Sequence, residues 1–230
     1  MKNFFRKIIR ICWKILLAFF VLSIFSVLVF RFVPVPFTPL MLIRCVQQKI
    51  SGKELKLDKS WESLDAISPN LQLAVVCSED QTFLTNHGFD FQAMENAYDH
   101  NEKNRHIRGG STISQETAKN VFLWTGRNYF RKGVEAYFTV LIEFIWGKKR
   151  IMQTYLNVIE MGDGIYGAEA ASEKYFHKHA KYLTKSEAAL IAAVLPNPRK
   201  WNPAHPDAFI IDRQQWILAQ MNNLGGELKY

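Results

Sequence analysis

The longest apolar run of the chain lies near its N-terminus, where residues 15–30 carry no charged side chain. Counted over residues 11–33, with Lys14 and Arg31 reaching outwards, the run is long enough to cross about 30 Å of hydrocarbon. It predicts a transmembrane helix at residues 11–33, preceded by a tail at residues 1–10. The alternative is a cleaved signal peptide, but such a peptide has a shorter apolar core and small residues at its exit, which this run lacks.

Residues 34–66 form a membrane-proximal segment in which the apolar pattern is less decisive. Three prolines that follow the span end its helix and stiffen the chain. Residues 37–46 are again strongly apolar, and the pattern leaves open whether they form a core helix or lie on the surface of a membrane. Residues 49–61 are polar and predict a loop or a short strand.

The remaining apolar positions recur at the spacing of helices, and no run of alternating positions predicts strands. Ser68 and Pro69 mark the start of a helix that ends with Glu79 and Asp80. A helix after Arg131 has a predicted buried stripe of Val134, Phe138, Leu141 and Ile145. Further helices are predicted at residues 91–98, 151–161, 168–176, 188–195 and 209–224. The chain is therefore predicted to be mainly α.

Charge adds a direction to the predicted span. Five basic residues and no acidic residue precede the uncharged run at residues 15–30, and they account for most of the net charge of +8. By the positive-inside rule, the N-terminus lies in the cytoplasm and the rest of the chain is exported. That remainder has only a small excess of positive charge, so no nucleic-acid partner is expected. The three cysteines are too few for a disulfide framework, and Cys45 and Cys77 form either one bridge or two isolated thiols.

Residues 108–120 have the composition of an anion-binding turn. A pair of glycines allows a tight turn and close backbone approach, and a helix that begins beside them presents free N–H groups. Ser111, Gln115 and Lys119 are four residues apart and share one face of that helix. The alternative is a helix capped by serine or threonine with a solvated polar face.

The segment around this turn is unusually rich in cations. Arg131 and Lys132 lie one turn before Glu135, and ion pairing along the helix explains them at about 0.2–0.5 kcal/mol per pair. Such pairing leaves the crowding itself unexplained, whereas a multiply charged anionic ligand explains it. The cations are Arg105, Arg108, Lys119, Arg127, Arg131 and Lys132.

Glu79 and Asp80 are the candidates for acid–base chemistry. Two acids at the C-terminal end of a helix oppose its dipole, so a carboxylate there, after an apolar face, is a candidate for a raised pKa and for general-base work. The alternative is a solvated loop opening. His87 is expected to pack rather than to bind a metal, and His177 and His179 are expected in a solvated turn, because no further ligand lies at metal spacing.

Together, these segments resemble the successive motifs of the family 51 peptidoglycan glycosyltransferases. The matches appear in the family's order and cover about residues 69–203, so a monofunctional member of the family is expected. They are Glu79-Asp80-x-x-Phe83-x-x-His87-x-Phe89-Asp90, Gly109-Gly110-Ser111-Thr112-Ile113-Ser114-Gln115, Lys119-Asn120, Arg131-Lys132-x-x-Glu135, Tyr155-Leu156-Asn157, and Glu187-Ala188-Ala189 with Pro196-Asn197-Pro198.

The resemblance implies a fold, a reaction and a location. The fold is a lysozyme-like helical lobe, the catalytic domain at residues 67–230, with a smaller membrane-proximal jaw lobe at residues 34–66. The 4-hydroxyl of lipid II attacks the anomeric carbon of a lipid-linked glycan chain, which forms a β-1,4 linkage with inversion and releases undecaprenyl pyrophosphate. The implied location is the bacterial inner membrane, and the further partners implied are membrane lipids and other cell-wall synthesis proteins. A membrane-anchored lytic enzyme and a non-catalytic scaffold are the rival hypotheses.

The resemblance also assigns roles to residues. Glu79 matches the general base, and Glu135 matches a second carboxylate that orients the pyrophosphate, directly or through a divalent metal such as Mg²⁺ or Mn²⁺; no organic cofactor is implied. Donor contacts are implied for Ser111, Thr112, Gln115, Lys119, Asn120, Arg127, Arg131 and Lys132. One position departs from the family, because Glu116 stands where a second glutamine is usual. We expect Glu116→Gln to change turnover only modestly.

Overall fold

The N-terminal apolar run is one long helix. The computed structural model describes residues 2–103, 109–126 and 128–230, and it divides into the units Met1–Pro34 and Val35–Tyr230. Helix α1, Lys2–Phe32, contains an 18-residue stretch with a mean hydropathy of 2.6 and is long and apolar enough to cross a membrane. It includes residues 2–10 of the predicted tail, where no proline or glycine breaks a helix.

The second unit is mainly helical, as the apolar spacing predicts. Its elements are α2 Pro39–Ile50, β1 Asp58–Lys59, a 3-10 turn Leu64–Ala66, α3 Pro69–Glu79, α4 Phe91–Lys103, α5 Ile113–Phe122, α6 Tyr129–Val158, β2 Glu160–Gly162, β3 Ile165–Tyr166, α7 Ala168–Phe176, a 3-10 turn Ala180–Tyr182, α8 Lys185–Val194 and α9 Ala208–Asn223. The division into a jaw at residues 34–66 and a catalytic lobe stays a prediction.

A small three-stranded sheet is the part of the fold that the apolar pattern misses. Its strand order is β1-β3-β2, with β1 parallel and β2 antiparallel to β3. Strands of two or three residues are too short to show alternation, which needs at least four. The polar stretch at residues 49–61 does contain the short strand that was one of its two predicted forms.

Helix α3 forms the centre of the core together with α8 and α9. Ser68 caps α3 and Pro69 opens it, as predicted, and the seven residues from Leu71 to Cys77 are all buried. A helix that is apolar on every side belongs in the interior of a fold. Because α8 offers mostly alanines to α3, the two helices pack closely and hold the last residue of α3, Glu79, in a fixed place.

The buried face of α6 differs from the predicted stripe. Phe138 is buried and stacks on Phe122 of α5 with ring centroids 4.4 Å apart, but Val134, Leu141 and Ile145 are only half-buried. Between Tyr129 and Trp146, the residues that α6 buries are Arg131, Glu135, Phe138, Thr139, Ile142 and Trp146. The predicted buried face is therefore wrong, because it is rotated slightly about the helix axis from the observed one. The prediction counted apolar residues only, whereas two buried charged residues lie on the observed face.

One further prediction needs correction, and two open alternatives are decided. Helix α4 runs from Phe91 to Lys103, so it continues beyond the predicted end at residue 98; residues 104–108 lie outside the described part of the chain. Helix α2 buries only Met41, whereas Leu42, Val46 and Ile50 are more than half exposed. The exposed apolar face fits the alternative of a segment on a membrane surface better than a core helix. Cys45 and Cys77 are free thiols, so no bridge joins them.

Helix α6 is interrupted at Gly147, which has φ 72° and ψ 167°. This conformation is open to glycine and closed to other residues. Beyond the break, the Lys148 ammonium turns back to Glu143, 2.6 Å from its carboxylate, and to the side-chain oxygen of Asn86 at 3.0 Å. The break therefore allows one helix to reach both the site and the far side of the core.

Replacement of Gly147 by alanine is expected to lower the free energy of unfolding by about 1–3 kcal/mol, because the strain lies in the backbone alone and no atom lies within 4 Å of the added methyl group. Gly133→Ala in the same helix is the control. It has equal space and ordinary helical geometry, so it is expected to stabilise by up to about 1 kcal/mol. Urea unfolding in detergent measures both, and equal effects would contradict the assignment.

Candidate active site

Glu79 is held at the end of α3 by neighbours from two helices. Its carboxylate accepts a hydrogen bond of 2.8 Å from the Ser78 hydroxyl, and the Arg213 guanidinium of α9 lies 3.8 Å away. The side chain is only 20% exposed. Burial, followed by the nearby charge of Glu116, raises the pKa of Glu79 to about 7, against the weaker opposing effects of Ser78, Arg213 and Lys119. A carboxylate with this pKa can accept a proton at neutral pH.

Asp80 is buried beside Glu79 but serves the fold. One carboxylate oxygen accepts the backbone N–H of Ile113 at 3.1 Å, and the other accepts the Asn86 amide at 2.8 Å and the Thr82 hydroxyl at 3.2 Å. Burial raises the pKa of Asp80, while these three hydrogen bonds lower it. Asp80 thus joins the end of α3 to the start of α5 and leaves Glu79 as the group available for chemistry.

The start of α5 is a capping box. The Thr112 hydroxyl accepts the N–H of Gln115 at 3.1 Å and donates to the Gly88 carbonyl at 2.7 Å, while the Gln115 side-chain oxygen accepts the N–H of Thr112 at 3.0 Å. Both side chains are buried. The capped-helix alternative therefore describes Thr112 and Gln115, and the predicted shared face of Ser111, Gln115 and Lys119 is wrong at its middle member.

Asn120 is also engaged within the fold. Its side-chain amide donates to the Glu116 carbonyl at 2.8 Å, and the residue is buried. Ser111 and Lys119 differ from it, because Ser111 is exposed and the Lys119 side chain is 39% exposed. Of the five predicted donor contacts on this segment, Ser111 and Lys119 are accessible to a ligand, whereas Thr112, Gln115 and Asn120 are buried.

A pocket opens beside Ser111, between α4 and the start of α6. Gly110 sets its width, because a Cβ at this position would lie 3.0 Å from the Cα of Met94 and 3.1 Å from the Cβ of Ala97. Close approach of α4 thus explains one of the two glycines. The lining residues are Met94, Ala97, Tyr98, Asn101, Gly110, Ser111 and Lys132.

Glu135 lies next to this pocket and is fully paired. Its two carboxylate oxygens lie 2.9 Å from an Arg131 nitrogen and 2.6 Å from the Lys132 ammonium, so the predicted pairing along the helix is confirmed. Glu135 and Arg131 are buried, whereas the Lys132 side chain is 43% exposed and reaches the pocket. The Arg131 Nε is buried and has no hydrogen-bond partner within the described ranges, so this N–H donor is unsatisfied.

Helix α5 connects the two groups of site residues. The residues before it bring Ser111 to the pocket with Lys132, and the helix itself carries Glu116 in its first turn and Lys119 in its last turn, both of which act electrostatically on Glu79. Arg127, like Arg105 and Arg108, lies outside the described residues.

Sequence reasoning missed two neighbours of the site. Arg213 comes from a helix 134 positions after Glu79, and no local pattern links them. Tyr155 has the signal of an ordinary buried residue, yet its hydroxyl donates to the Glu116 carboxylate at 3.3 Å. His87 is exposed rather than packed, which contradicts the prediction, whereas His177 and His179 are exposed as expected, with His179 Nδ1 2.6 Å from Glu169.

The chain is mainly helical, begins with an apolar helix, and holds at Glu79 a carboxylate whose pKa is raised to about 7. A sequence profile of the family described as transglycosylase matches residues 47–222, and the chain belongs to this family. It is 47% identical to the "Biosynthetic peptidoglycan transglycosylase" of Pseudomonas syringae pv. syringae, over 96% of this chain and 94% of the relative. Relatives of the same name in Bacteroides thetaiotaomicron and Bdellovibrio bacteriovorus are 51% and 52% identical, over 94% and 89% of this chain and 88% and 82% of their own lengths.

Asp80→Asn is expected to destabilise the protein by about 1–3 kcal/mol and to lower activity, because the new amide group brings a donor towards the donors of Ile113 and Asn86. Asp207→Asn is the control. Asp207 caps α9 through the N–H of Ile210 at 2.9 Å, and asparagine caps a helix as well as aspartate. Thermal unfolding of both variants measures the difference, and a neutral Asp80→Asn would contradict the joining role of Asp80.

Proposed function

We propose that this chain polymerises the glycan strands of peptidoglycan, transferring a lipid-linked growing chain to the 4-hydroxyl of lipid II and releasing undecaprenyl pyrophosphate. The observation that carries the proposal is the Glu79 carboxyl group, with a pKa of about 7 in a site that also offers exposed cations. The names of the relatives support the substrate class.

Glu79 acts as the general base in this proposal. It accepts the proton of the 4-hydroxyl while the hydroxyl oxygen forms a bond to the anomeric carbon of the donor. The bond from that carbon to the pyrophosphate oxygen breaks, and its electron pair leaves with the pyrophosphate. Attack from the face opposite the leaving group inverts the anomeric centre and gives the β-1,4 linkage.

The cations act on the leaving group. Negative charge grows on the pyrophosphate in the transition state, and cations held in place before the reaction stabilise it by several kcal/mol. Lys132 and Ser111 line the pocket, and the buried Arg131, the neighbour of Lys132 in sequence, is fixed by Glu135 at 2.9 Å. Lys119 adds an exposed ammonium near Glu79. A role for Arg127 in the same contacts stays a prediction.

A divalent metal at Glu135 fits poorly with these residues. Both carboxylate oxygens already face a cation, Arg131 or Lys132, and two positive groups at 2.9 and 2.6 Å repel a third. A metal that arrives on the pyrophosphate would have to displace one of them. We therefore route no step of the reaction through a metal, and polymerisation with and without a chelator tests this choice.

The location follows from the apolar helix. We place α1 across the bacterial inner membrane with its N-terminus in the cytoplasm, so that the second unit lies outside, where membrane lipids and other cell-wall synthesis proteins are its neighbours. The length of α1 and the mean hydropathy of 2.6 over its most apolar 18 residues support this placement.

A membrane-anchored lytic enzyme is the rival proposal, because cleavage of glycan strands also uses a catalytic glutamate. The cation pocket favours the polymerase, since a hydrolase of uncharged linkages has no anionic leaving group to stabilise. Incubation of the full chain with labelled lipid II separates the two. Growth of polymer supports our proposal, and shortening of preformed strands without growth overturns it. No reaction of the wild type in either assay favours the scaffold hypothesis.

Glu79→Gln is expected to lower lipid II polymerisation by about 10²–10⁴-fold, the usual contribution of a general base. The same variant is expected to be more stable at pH 8. The folded-state pKa of Glu79 is raised from 4.5 to about 7, so its contribution to stability is full below pH 4.5 and is lost as pH rises through 7. At pH 8 we expect a gain of about 1–3 kcal/mol in the free energy of unfolding.

Glu173→Gln is the matched control for Glu79→Gln, because Glu173 lies on α7 with a side chain that is 57% exposed. It is expected to leave both polymerisation and stability at the wild-type level. Undiminished polymerisation by Glu79→Gln would refute the role of Glu79.

The wild-type rate is expected to rise with pH through about 7, because Glu79 accepts a proton only in its ionised form. Initial rates of polymer formation between pH 5.5 and 8.5, at low lipid II concentration, measure the pKa of the free enzyme. A flat profile across pH 7 would contradict this assignment.

A further inference from the structure

Glu116 occupies the position at which the family resemblance leads one to expect a glutamine. It lies in the first turn of α5, and its side chain is 24% exposed. A carboxylate at position 116 adds a negative charge near Glu79, and that charge raises the pKa of Glu79. Such an arrangement works against the ionisation of the base, so the contacts of Glu116 need a physical account.

Both oxygens of Glu116 have defined partners. One lies 3.5 Å from the Lys119 ammonium, and the other accepts the Tyr155 hydroxyl at 3.3 Å. Tyr155 is buried in α6, and burial followed by the charge of Glu116 raises the pKa of Tyr155 well above its ordinary value. The tyrosine therefore keeps its proton and remains a donor, and it fixes the carboxylate from the interior side.

Of the two partners of Glu116, Lys119 is the one whose contact a ligand from solution can alter. Its side chain is 39% exposed, so an anion in solution can approach it, whereas Tyr155 is enclosed. In the proposed function Lys119 contacts the phosphates of the donor. An anion that draws Lys119 towards itself weakens the ion pair with Glu116 and leaves that carboxylate less neutralised.

We propose that Glu116 is a positioning residue that links the cation of Lys119 to the carboxylate of Glu79. Binding of a pyrophosphate-bearing donor to Lys119 weakens its ion pair with Glu116, so the charge of Glu116 acts more strongly on Glu79, and the ionised form of Glu79 then accepts the proton of the acceptor hydroxyl more readily. This inference rests on the proposed roles of Glu79 and Lys119.

The other groups that face Glu79 do not provide this link. Ser78 on α3 donates to it, and Arg213 on α9 lies 3.8 Å away while donating to Ser78 at 3.0 Å. Helix α8 contributes the Ala192 carbonyl, which accepts from Ser78 at 3.3 Å and carries no charge. Among the described groups that act on the pKa of Glu79, Glu116 is the one that raises it by charge.

The test is the pH profile of lipid II polymerisation by the full chain in vesicles. Glu116→Gln removes the charge and keeps an oxygen for Tyr155, so the pKa of Glu79 falls and the acidic limb of the profile moves to lower pH, by about half a pH unit or more. Glu173→Gln, which removes an equal charge from an exposed site on α7, leaves the limb in place. A limb that does not move in Glu116→Gln overturns the inference, because a purely structural role lowers the rate at every pH.

Lys119→Gln is expected to move the acidic limb of the pH profile in the opposite direction. Its loss leaves Glu116 unneutralised, so the acidic limb moves to higher pH, and the move is smaller when Glu116→Gln is also present. If either single variant folds poorly, the other still decides the matter. Equal shifts by Lys119→Gln in both backgrounds overturn the link through Glu116.

A measurement without turnover separates this inference from the proposed function. The ¹³C chemical shift of the Glu79 carboxyl, assigned by its loss in Glu79→Gln, gives its pKa with and without inorganic pyrophosphate. We expect pyrophosphate to raise this pKa more in the wild type than in Glu116→Gln, and equal rises overturn the inference. Polymerisation that persists in Glu79→Gln would instead refute the proposed base and leave the measured coupling intact.

Discussion

The hydrogen bond from the Ile113 N–H to the buried carboxylate of Asp80 is the contact on which the site depends. It joins the end of the central helix α3 to the start of α5, and each of these helix ends carries site residues. Glu79 precedes Asp80 directly, and Ser111 lies two residues before Ile113. Because a helix N-terminus buried without an acceptor is costly, the carboxylate satisfies the backbone and sets the distance between base and pocket in one interaction.

The charges of the site are held in a framework that is otherwise apolar. Helix α3 is buried on all sides against the alanines of α8, so its end has little freedom to relax around Glu79. The carboxylate keeps a raised pKa at the expense of folding stability above neutral pH, and the core supplies the compensating free energy. Glu135 shows the opposite arrangement, since two cations neutralise it almost completely.

The helices and their caps were predictable from sequence because they depend on local patterns. Ser68 before Pro69 starts α3 where expected, and a capping box of Thr184 and Glu187 starts α8 by the same kind of local pattern. The rotation of α6 was not predictable from apolar spacing, because buried Arg131 and Glu135 belong to its inner face. The resemblance identified Glu79, but only the fold shows that Thr112 and Gln115 cap a helix, and only the fold brings Arg213 to Glu79 across 134 positions.

The width and the charge of the pocket beside Gly110 are set by different helices. Its width is set where α4 approaches a position that has no side chain, through the backbone of Met94 and the methyl group of Ala97. Its charge is set elsewhere, by Lys132 on α6. Side chains on α4 can therefore change in size and alter which apolar groups the pocket admits, while the recognition of negative charge stays the same. Selectivity for the shape of a ligand and attraction for its charge are independent variables in this architecture.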